Sequence, residues 1–159
     1  MILNEKTVVV MRFLKSFSLF CFGGLAYGLI ELAWRGRTHI SMFFVGGLCF
    51  WLICKISAIK YLSLPKMSVL CSLGITLVEL ISGIFINIVL KLGVWSYQNQ
   101  PFNVLGQVCP VFSLFWLFLS IPAIYLSLYL RKILFSESPH FPTVLPRLKP
   151  IPQIKMPEH

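Results

Sequence analysis

The sequence predicts an all-α protein, a polytopic membrane bundle of about four transmembrane helices arranged as two helical hairpins. Of its 159 residues, 57% are hydrophobic and only 12% are charged, and the mean hydropathy of +0.84 is well above that of a soluble domain. The hydrophobic residues form runs of about 20, the length that crosses a hydrocarbon layer of ~30 Å. Membrane lipid is therefore the expected surrounding of most of the chain.

Four hydrophobic runs define the predicted spans, and polar links separate them. In chain order, the runs extend from about Phe13 to Trp34, Ile40 to Ile59, Met67 to Leu92 and Val104 to Leu130. Residues 1–12 then form a cytoplasmic head, residues 13–130 form the transmembrane domain, and residues 131–159 form a proline-rich basic tail that we expect to be disordered.

The positive charge lies mostly on one side of the predicted spans. Of the 14 Lys and Arg residues, 11 lie near the N-terminus, in the link 55–66 or in the tail, which leaves Arg35, Arg37 and Lys91 on the other side. The positive-inside rule predicts a multi-pass protein of the cell membrane with both termini in the cytoplasm. Because the charges form no stripe among polar residues, no nucleic-acid partner is expected.

One acidic residue, Glu79, lies in the middle of the third run. A carboxylate there costs at least a few kcal/mol unless it is paired, hydrated or protonated, so we expect it to face the bundle interior, within reach of the first span or of residues 35–39. Residues at helical spacing continue its face: Ser72, Thr76, Gly83, Asn87 and Lys91. This pattern fits a hydrogen-bonded seam between helices or a functional site, and the sequence leaves both open.

A second polar cluster follows the first run. Glu31 and Arg35 stand at i,i+4 spacing, which favours an ion pair, and Gly24 and Gly28 on the same helix predict a close approach of another helix. Arg35, Arg37 and His39 form a cationic group that suits a phosphate or carboxylate, or that anchors the chain to lipid headgroups. No second ligand stands at metal spacing from His39, so no metal site is predicted.

The loop between the third and fourth runs is rich in amide and aromatic residues. The amides include Asn103 and Gln107, and the aromatic residues Trp95, Tyr97 and Phe102 suggest an interfacial aromatic belt. The fourth run carries a face of small residues with two prolines expected to bend it: Gly106, Ser113, Ser120 and Ser127, with Pro110 and Pro122. No nucleotide loop, catalytic triad or C-x-x-C pair occurs, so neither a cofactor nor a familiar soluble chemistry is predicted.

Several short motifs together resemble one family of small bacterial membrane proteins. They are Tyr27-Gly28 with Glu31-Leu32, the RGRTH segment 35–39, the segment Gly46–Phe50, and the VW-x-Y loop with Pro101, Asn103, Gly106, Gln107 and Cys109. Over roughly residues 27–120 the chain resembles the putative ABC-transporter permease family, type IV. The resemblance implies a transport role, with an ATPase or another subunit as a partner.

The leading hypothesis is a permease-like transport component in which the arginine cluster attracts an anionic group while Glu79 gates or relays a proton or cation. The alternatives are an intramembrane enzyme acting on a lipid-linked or headgroup substrate, with Glu31 or Glu79 as base, and a noncatalytic helper subunit. A homo-oligomer is a further alternative for the assembly. The candidate site residues are Glu31, Arg35, Arg37, His39, Glu79, Asn87, Asn103 and Gln107.

A cavity would separate these hypotheses. A cavity reaching the middle of the membrane from water would favour transport, and one opening to lipid at headgroup depth would favour the enzyme. A closed bundle would favour the helper.

Overall fold

The computed structural model describes residues 5–142, and within that range it is all-helical, without a β-strand. The helices are α1 (Glu5–Arg35), α2 (Ile40–Ser57), α3 (Leu64–Gly83) and α4 (Pro110–Phe135), and a π-helical segment, Ile84–Val89, continues α3. All four are long and apolar enough to cross a membrane. The predicted fold class is therefore confirmed.

The helices alternate in direction and leave their connections at two ends of the bundle. Residues 36–39 and 90–109 lie at one end, here the loop end, and residues 58–63 lie at the other, here the termini end. Helix α2 packs against all three other helices, α3 packs against α4, and α1 packs chiefly against α2. Helix α1 is thus the least enclosed member of the bundle.

Both terminal helices extend beyond the predicted spans. Helix α1 begins at Glu5, within the expected head, and α4 continues to Phe135, within the expected tail. The length of a hydrophobic run indicates how many residues can lie in lipid, whereas the helix itself continues until its terminal backbone groups are capped. The ends of a hydrophobic run and the ends of its helix therefore differ. The remainder of the expected disordered tail, residues 143–159, lies outside the described residues.

Helix α4 begins later than predicted. Leu105 and Gly106 both have left-handed backbone conformations, with φ of 53° and 68°, so the helix cannot include them. Pro110 instead occupies the first turn of α4, where its missing N–H removes no hydrogen bond. The prediction that Pro110 bends the helix was therefore wrong, and Gly106 is not part of the small-residue face.

Glycines allow α1 and α2 to approach closely. A Cβ atom on Gly24 would collide with the backbone oxygen of Phe43, and one on Gly46 would collide with the Tyr27 side chain. In contrast, a Cβ atom on Gly28 would meet nothing within 4 Å. Of the predicted Gly24 and Gly28 pair, only Gly24 serves the interface, and α2 supplies the complementary glycine.

Hydroxyl groups join α3 to α4 along the polar face of α3. The Ser72 hydroxyl donates to the Ser113 carbonyl at 2.7 Å, and the Thr76 hydroxyl donates to the Ser113 hydroxyl at 3.0 Å. Near the termini end, the hydroxyls of Ser57 and Ser127 lie 2.9 Å apart, which connects α2 to α4. These contacts form the hydrogen-bonded seam that the spacing on α3 allowed.

An ionic clasp joins α1 to the segment after α4 at the termini end. Lys15 donates to one carboxylate oxygen of Glu137 at 3.1 Å, and Arg131 approaches the other at 2.8 Å. Partial burial opposes ionisation of Glu137, but these two hydrogen bonds outweigh it and hold its pKa below the ordinary value. The Lys15 ammonium also lies 5.2 Å from the centre of the Phe135 ring.

We expect Glu137→Gln to lower the unfolding free energy at pH 7 by on the order of 0.5 kcal/mol, because the clasp is partly exposed to solvent. A carboxyl with a lowered pKa stabilises the fold above its unfolded-state pKa and loses that contribution as pH falls through the folded-state value. Thermal unfolding in detergent should therefore separate wild type from the variant at pH 7, and the difference should shrink as the pH falls below about 4. A difference that persists in acid would contradict the clasp.

Candidate functional site

A cavity of about 220 Å³ separates α1 from α4 in the middle of the bundle. Its rim is formed by exposed apolar side chains, Phe22 and Ile30 of α1 and Leu119 and Leu126 of α4. Its floor consists of buried residues of α2 and α3, which include Val45, Cys49, Phe50, Ile53, Ile75 and Glu79. The cavity therefore opens sideways onto the apolar surface that faces lipid when these helices span a membrane.

Glu79 is the one carboxylate in the wall of this cavity. The residue is 95% buried. It lies ten residues, or roughly 15 Å along the helix axis, before Val89, the last residue of the π-helical segment at the loop end. The Trp116 indole N–H donates to Oε2 of Glu79 at 2.6 Å. Among the described residues, Oε1 receives no hydrogen bond, so it remains available to the cavity.

No cation pairs with Glu79 in the part of the chain that the structure describes. The three ion pairs there involve Glu31 or Glu137. The expectation that Glu79 points into the bundle is confirmed, but its partner is Trp116 of α4 rather than an arginine of residues 35–39. A buried carboxylate with one uncharged hydrogen-bond donor keeps a strong attraction for a positive group.

Trp116 was not among the sequence candidates. A tryptophan in a span is usually interpreted as a residue of the membrane interface, whereas this one lies six residues after the start of α4, and its indole donates to the buried Glu79. Its position between Ser113 and Ser120, at spacings of three and four, places it on the small-residue face, and that signal could have identified it. Its ring also lies 6.2 Å from the ring of Tyr27 on α1, and both residues line the cavity.

A second, polar pocket of about 210 Å³ lies at the loop end. Arg35 donates to Oε1 of Glu31 at 2.7 Å, so the expected ion pair is present, and Thr38 donates to Oε2 at 2.6 Å. Arg35 also donates to the carbonyl of Val94 at 3.1 Å, which ties the pocket to the long loop. Each oxygen of Glu31 thus accepts a hydrogen bond from within the pocket, so Glu31 serves as a structural partner of Arg35 and Thr38.

The two other candidates of this cluster, His39 and Arg37, line the same pocket but differ in role. His39 accepts a hydrogen bond from the backbone N–H of Ser41 at 3.2 Å through Nδ1, and it is the N-cap residue of α2. Arg37 is exposed and makes no side-chain hydrogen bond to any described residue. Of the cationic cluster, Arg37 is the member that is free to contact an anion.

The amide candidates organise the loop between α3 and α4. Asn87 donates to the side-chain oxygen of Gln107 at 2.8 Å and accepts from the backbone N–H of Val94 at 2.7 Å. Asn103 donates to the carbonyls of two loop residues and accepts from the Gly106 N–H. These amides satisfy backbone groups at an irregular turn, which is a structural task.

Trp95 does not belong to an exposed aromatic belt, and the partly buried Tyr97 packs against α4. Trp95 is buried and donates to the carbonyl of Gln107 at 3.2 Å, and Tyr97 stacks on Phe112 of α4 with ring centres 4.4 Å apart. Burial, followed by the Glu79 carboxylate, raises the pKa of Tyr97 above its ordinary value. The belt prediction was wrong for Trp95, because its indole N–H has a buried backbone partner.

The eight candidate residues therefore occupy three places rather than one. Glu79 lies in the cavity between α1 and α4. The pocket at the loop end is lined by Glu31, Arg35, Arg37 and His39. The long loop is stabilised by the amides of Asn87, Asn103 and Gln107. Lys91, the last residue of the predicted polar face, is exposed with a left-handed backbone after the π-helical segment. Among described residues, no group of three His, Cys, Asp or Glu could hold a metal.

We expect Glu31→Gln and Arg35→Gln to be coupled by on the order of 0.5 kcal/mol or more in a double-mutant cycle, because the Glu31 side chain is only 5% exposed. Thermal unfolding in detergent measures all four corners of the cycle. Thr38→Val supplies a control, since it removes the other hydrogen bond to Glu31 and leaves the ion pair. Strictly additive effects of the two Gln substitutions would contradict the coupling.

The fold and the cavity define a class, a multi-pass membrane protein with a carboxylate-containing cavity between its first and last spans. Residues 2–145 match the model of a family described as "Putative ABC-transporter type IV", and the chain belongs to that family. The resemblance found in the sequence is thereby confirmed. No curated protein and no solved structure matches the chain.

Proposed function

We propose that this protein is a transport component that takes its substrate from the lipid phase through the cavity between α1 and α4. The observation that carries the proposal is Glu79, a buried carboxylate with one free oxygen in an otherwise apolar cavity. Buried ionisable groups in membrane spans commonly mark substrate or ion pathways. Glu79 exchanges a proton or cation with the occupant of the cavity.

The cavity opens to lipid and not, as was expected of a transport pathway, to water, but it lies in the middle of the bundle rather than at headgroup depth, and this depth favours transport over the two alternatives. A closed helper bundle would not need a buried carboxylate beside an open cavity, given what burial costs. An enzyme acting on headgroups needs a base at headgroup depth, but Glu31 at that end already accepts from Arg35 and Thr38. The opening faces lipid rather than water, so the substrate of the proposed transporter is lipid-soluble.

The two ends of the bundle have different partners in this proposal. The loop end faces outward, where Arg37 attracts the phosphate of anionic headgroups. The termini end faces the cytoplasm and binds an ATPase, as the family description suggests. Transport driven by an ATPase requires such a contact on the cytoplasmic side.

Purification in mild detergent tests the proposal. We expect an ATP-hydrolysing subunit to copurify with the wild-type chain, and to do so equally with Glu79→Gln, because Glu79 lies fifteen residues, or roughly 22 Å along the helix axis, from the start of α3 at the termini end. Mass spectrometry identifies the bound proteins, and phosphate release measures ATP hydrolysis. Recovery of the chain with lipid alone would contradict the proposed transport role.

Labelling of single cysteines tests the orientation. In a background without the native cysteines, we expect Lys6→Cys and Glu137→Cys to react only after the cells are permeabilised, since both residues lie at the proposed cytoplasmic end. Arg37→Cys should react in intact cells. Reaction of the Lys6 position from outside intact cells would reverse the orientation.

A further inference from the structure

We propose that the cavity between α1 and α4 binds a lipophilic organic cation, an amine or quaternary ammonium with apolar substituents, whose positive group pairs with the free oxygen of Glu79. This inference rests on the proposed function and names its substrate class. The chemistry of the wall, and not the volume of the cavity, selects this class.

Charge is the first argument. Glu79 is 95% buried and has no cationic partner among the described residues, although one of its oxygens is open to the cavity. Trp116 stabilises the carboxylate with one hydrogen bond but does not neutralise it. An organic cation supplies the missing charge and is far cheaper to transfer from water to lipid than a small inorganic ion, because its charge is shielded by apolar groups.

Aromatic faces are the second argument. Tyr27 and Trp116 line the cavity together with Glu79, with ring centres 6.2 Å apart, and Phe22 and Phe50 also line it. Aromatic faces attract alkylammonium groups within about 6 Å of the ring centre, most strongly when water is excluded. A carboxylate that shares a cavity with aromatic rings therefore matches a cation with apolar substituents better than a neutral chain.

The route of entry is the third argument. Exposed apolar side chains form the rim, so a ligand dissolved in the membrane reaches Glu79 without crossing a polar surface. An acyl chain could also enter, but it would leave the carboxylate unpaired. An anionic ligand would be repelled by Glu79, and the arginines at the loop end line a different pocket.

Protons compete with the proposed ligand. The titratable groups around Glu79 are Tyr27 from α1, Cys49 from α2 and Tyr97 from the long loop, and α4 contributes the uncharged indole of Trp116. Tyrosine and cysteine ordinarily titrate at about 10 and about 8.5, so these neighbours carry no charge at neutral pH. Protonation of Glu79 removes the negative charge, and acid therefore weakens binding.

Equilibrium binding of radiolabelled benzyltrimethylammonium to the purified chain in lipid nanodiscs tests the proposal. Its uncharged isostere, neopentylbenzene, serves as the competitor. We expect saturable binding to the wild type, at least tenfold weaker binding to Glu79→Gln, and weaker binding to the wild type as the pH is lowered. The matched control is Glu5→Gln, which removes an exposed acid at the start of α1. Thermal unfolding in the same nanodiscs verifies that each variant is folded.

A second variant keeps the binding test informative if Glu79→Gln fails to fold. Ala26→Leu enlarges a partly buried side chain in the α1 wall of the cavity and leaves Glu79 intact, and it should also weaken binding at least tenfold. Equal binding to wild type and Glu79→Gln would overturn the proposal, as would displacement by neopentylbenzene as effective as that by unlabelled benzyltrimethylammonium. Copurification of an ATPase without cation binding would overturn this inference alone, whereas cation binding without an ATPase would contradict the proposed function instead.

Discussion

Glu79→Gln should lower transport of benzyltrimethylammonium by roughly tenfold or more, because a desolvated charge pair contributes about 2 kcal/mol or more to binding. Glutamine retains the size of the side chain and an acceptor for the Trp116 indole, so the seam between α3 and α4 stays intact. The measurement is efflux from loaded proteoliposomes that contain the copurified complex and ATP. Unfolding temperatures should remain close to those of the wild type.

Two further variants separate the charge of Glu79 from its contacts. Trp116→Phe removes the indole N–H and keeps an aromatic ring in the cavity, so we expect partial rather than complete loss of efflux. Glu5→Gln should transport at the wild-type rate. Full transport activity of a folded Glu79→Gln protein would show that Glu79 serves only in the hydrogen-bonded contact between α3 and α4.

Gly24→Ala should destabilise the bundle by about 1–3 kcal/mol, because the new methyl group would collide with the backbone oxygen of Phe43 and force α1 away from α2. Backbone atoms cannot move aside as a flexible side chain can. The measurement is the shift of thermal or denaturant unfolding in detergent. Since α1 packs chiefly against α2, this one interface determines whether α1 stays in place.

Gly28→Ala is the matched control for this prediction. Gly28 belongs to the same helix one turn later, and a Cβ atom there meets nothing within 4 Å. Alanine favours helix over glycine, so the variant should be neutral or more stable by up to about 1 kcal/mol. Equal destabilisation by the two substitutions would show that the packing of α1 does not depend on Gly24.

Local features of the chain could be predicted because they depend on residues close in sequence. The four spans follow from hydrophobic runs, and the Glu31 and Arg35 ion pair follows from i,i+4 spacing. The expected interior position of Glu79 follows from the free-energy cost of placing a charge in lipid. That cost does not depend on which residue becomes the hydrogen-bond partner of Glu79. Each of these predictions needed only helix geometry and transfer energies.

Features that depend on distant residues could not be predicted in the same way. The start of α4 at Pro110 depends on left-handed residues in the loop, whose conformation is stabilised by amide contacts such as the one from Asn103. Similarly, the burial of Trp95 depends on a carbonyl twelve residues away. Sequence patterns indicate which groups need hydrogen bonds, but not which partners the folded chain brings to them.

The sequence by itself determined that this chain is a four-span helical membrane protein of its family, because hydrophobic length and local motifs are properties of contiguous residues. Only the tertiary structure decided that Glu79 meets Trp116 beside an open cavity, while the arginines lie in a separate pocket. The physical reason is that α1 packs chiefly against α2, which leaves a gap toward α4. Such a gap arises from the shapes of several helices together, and no single segment encodes it.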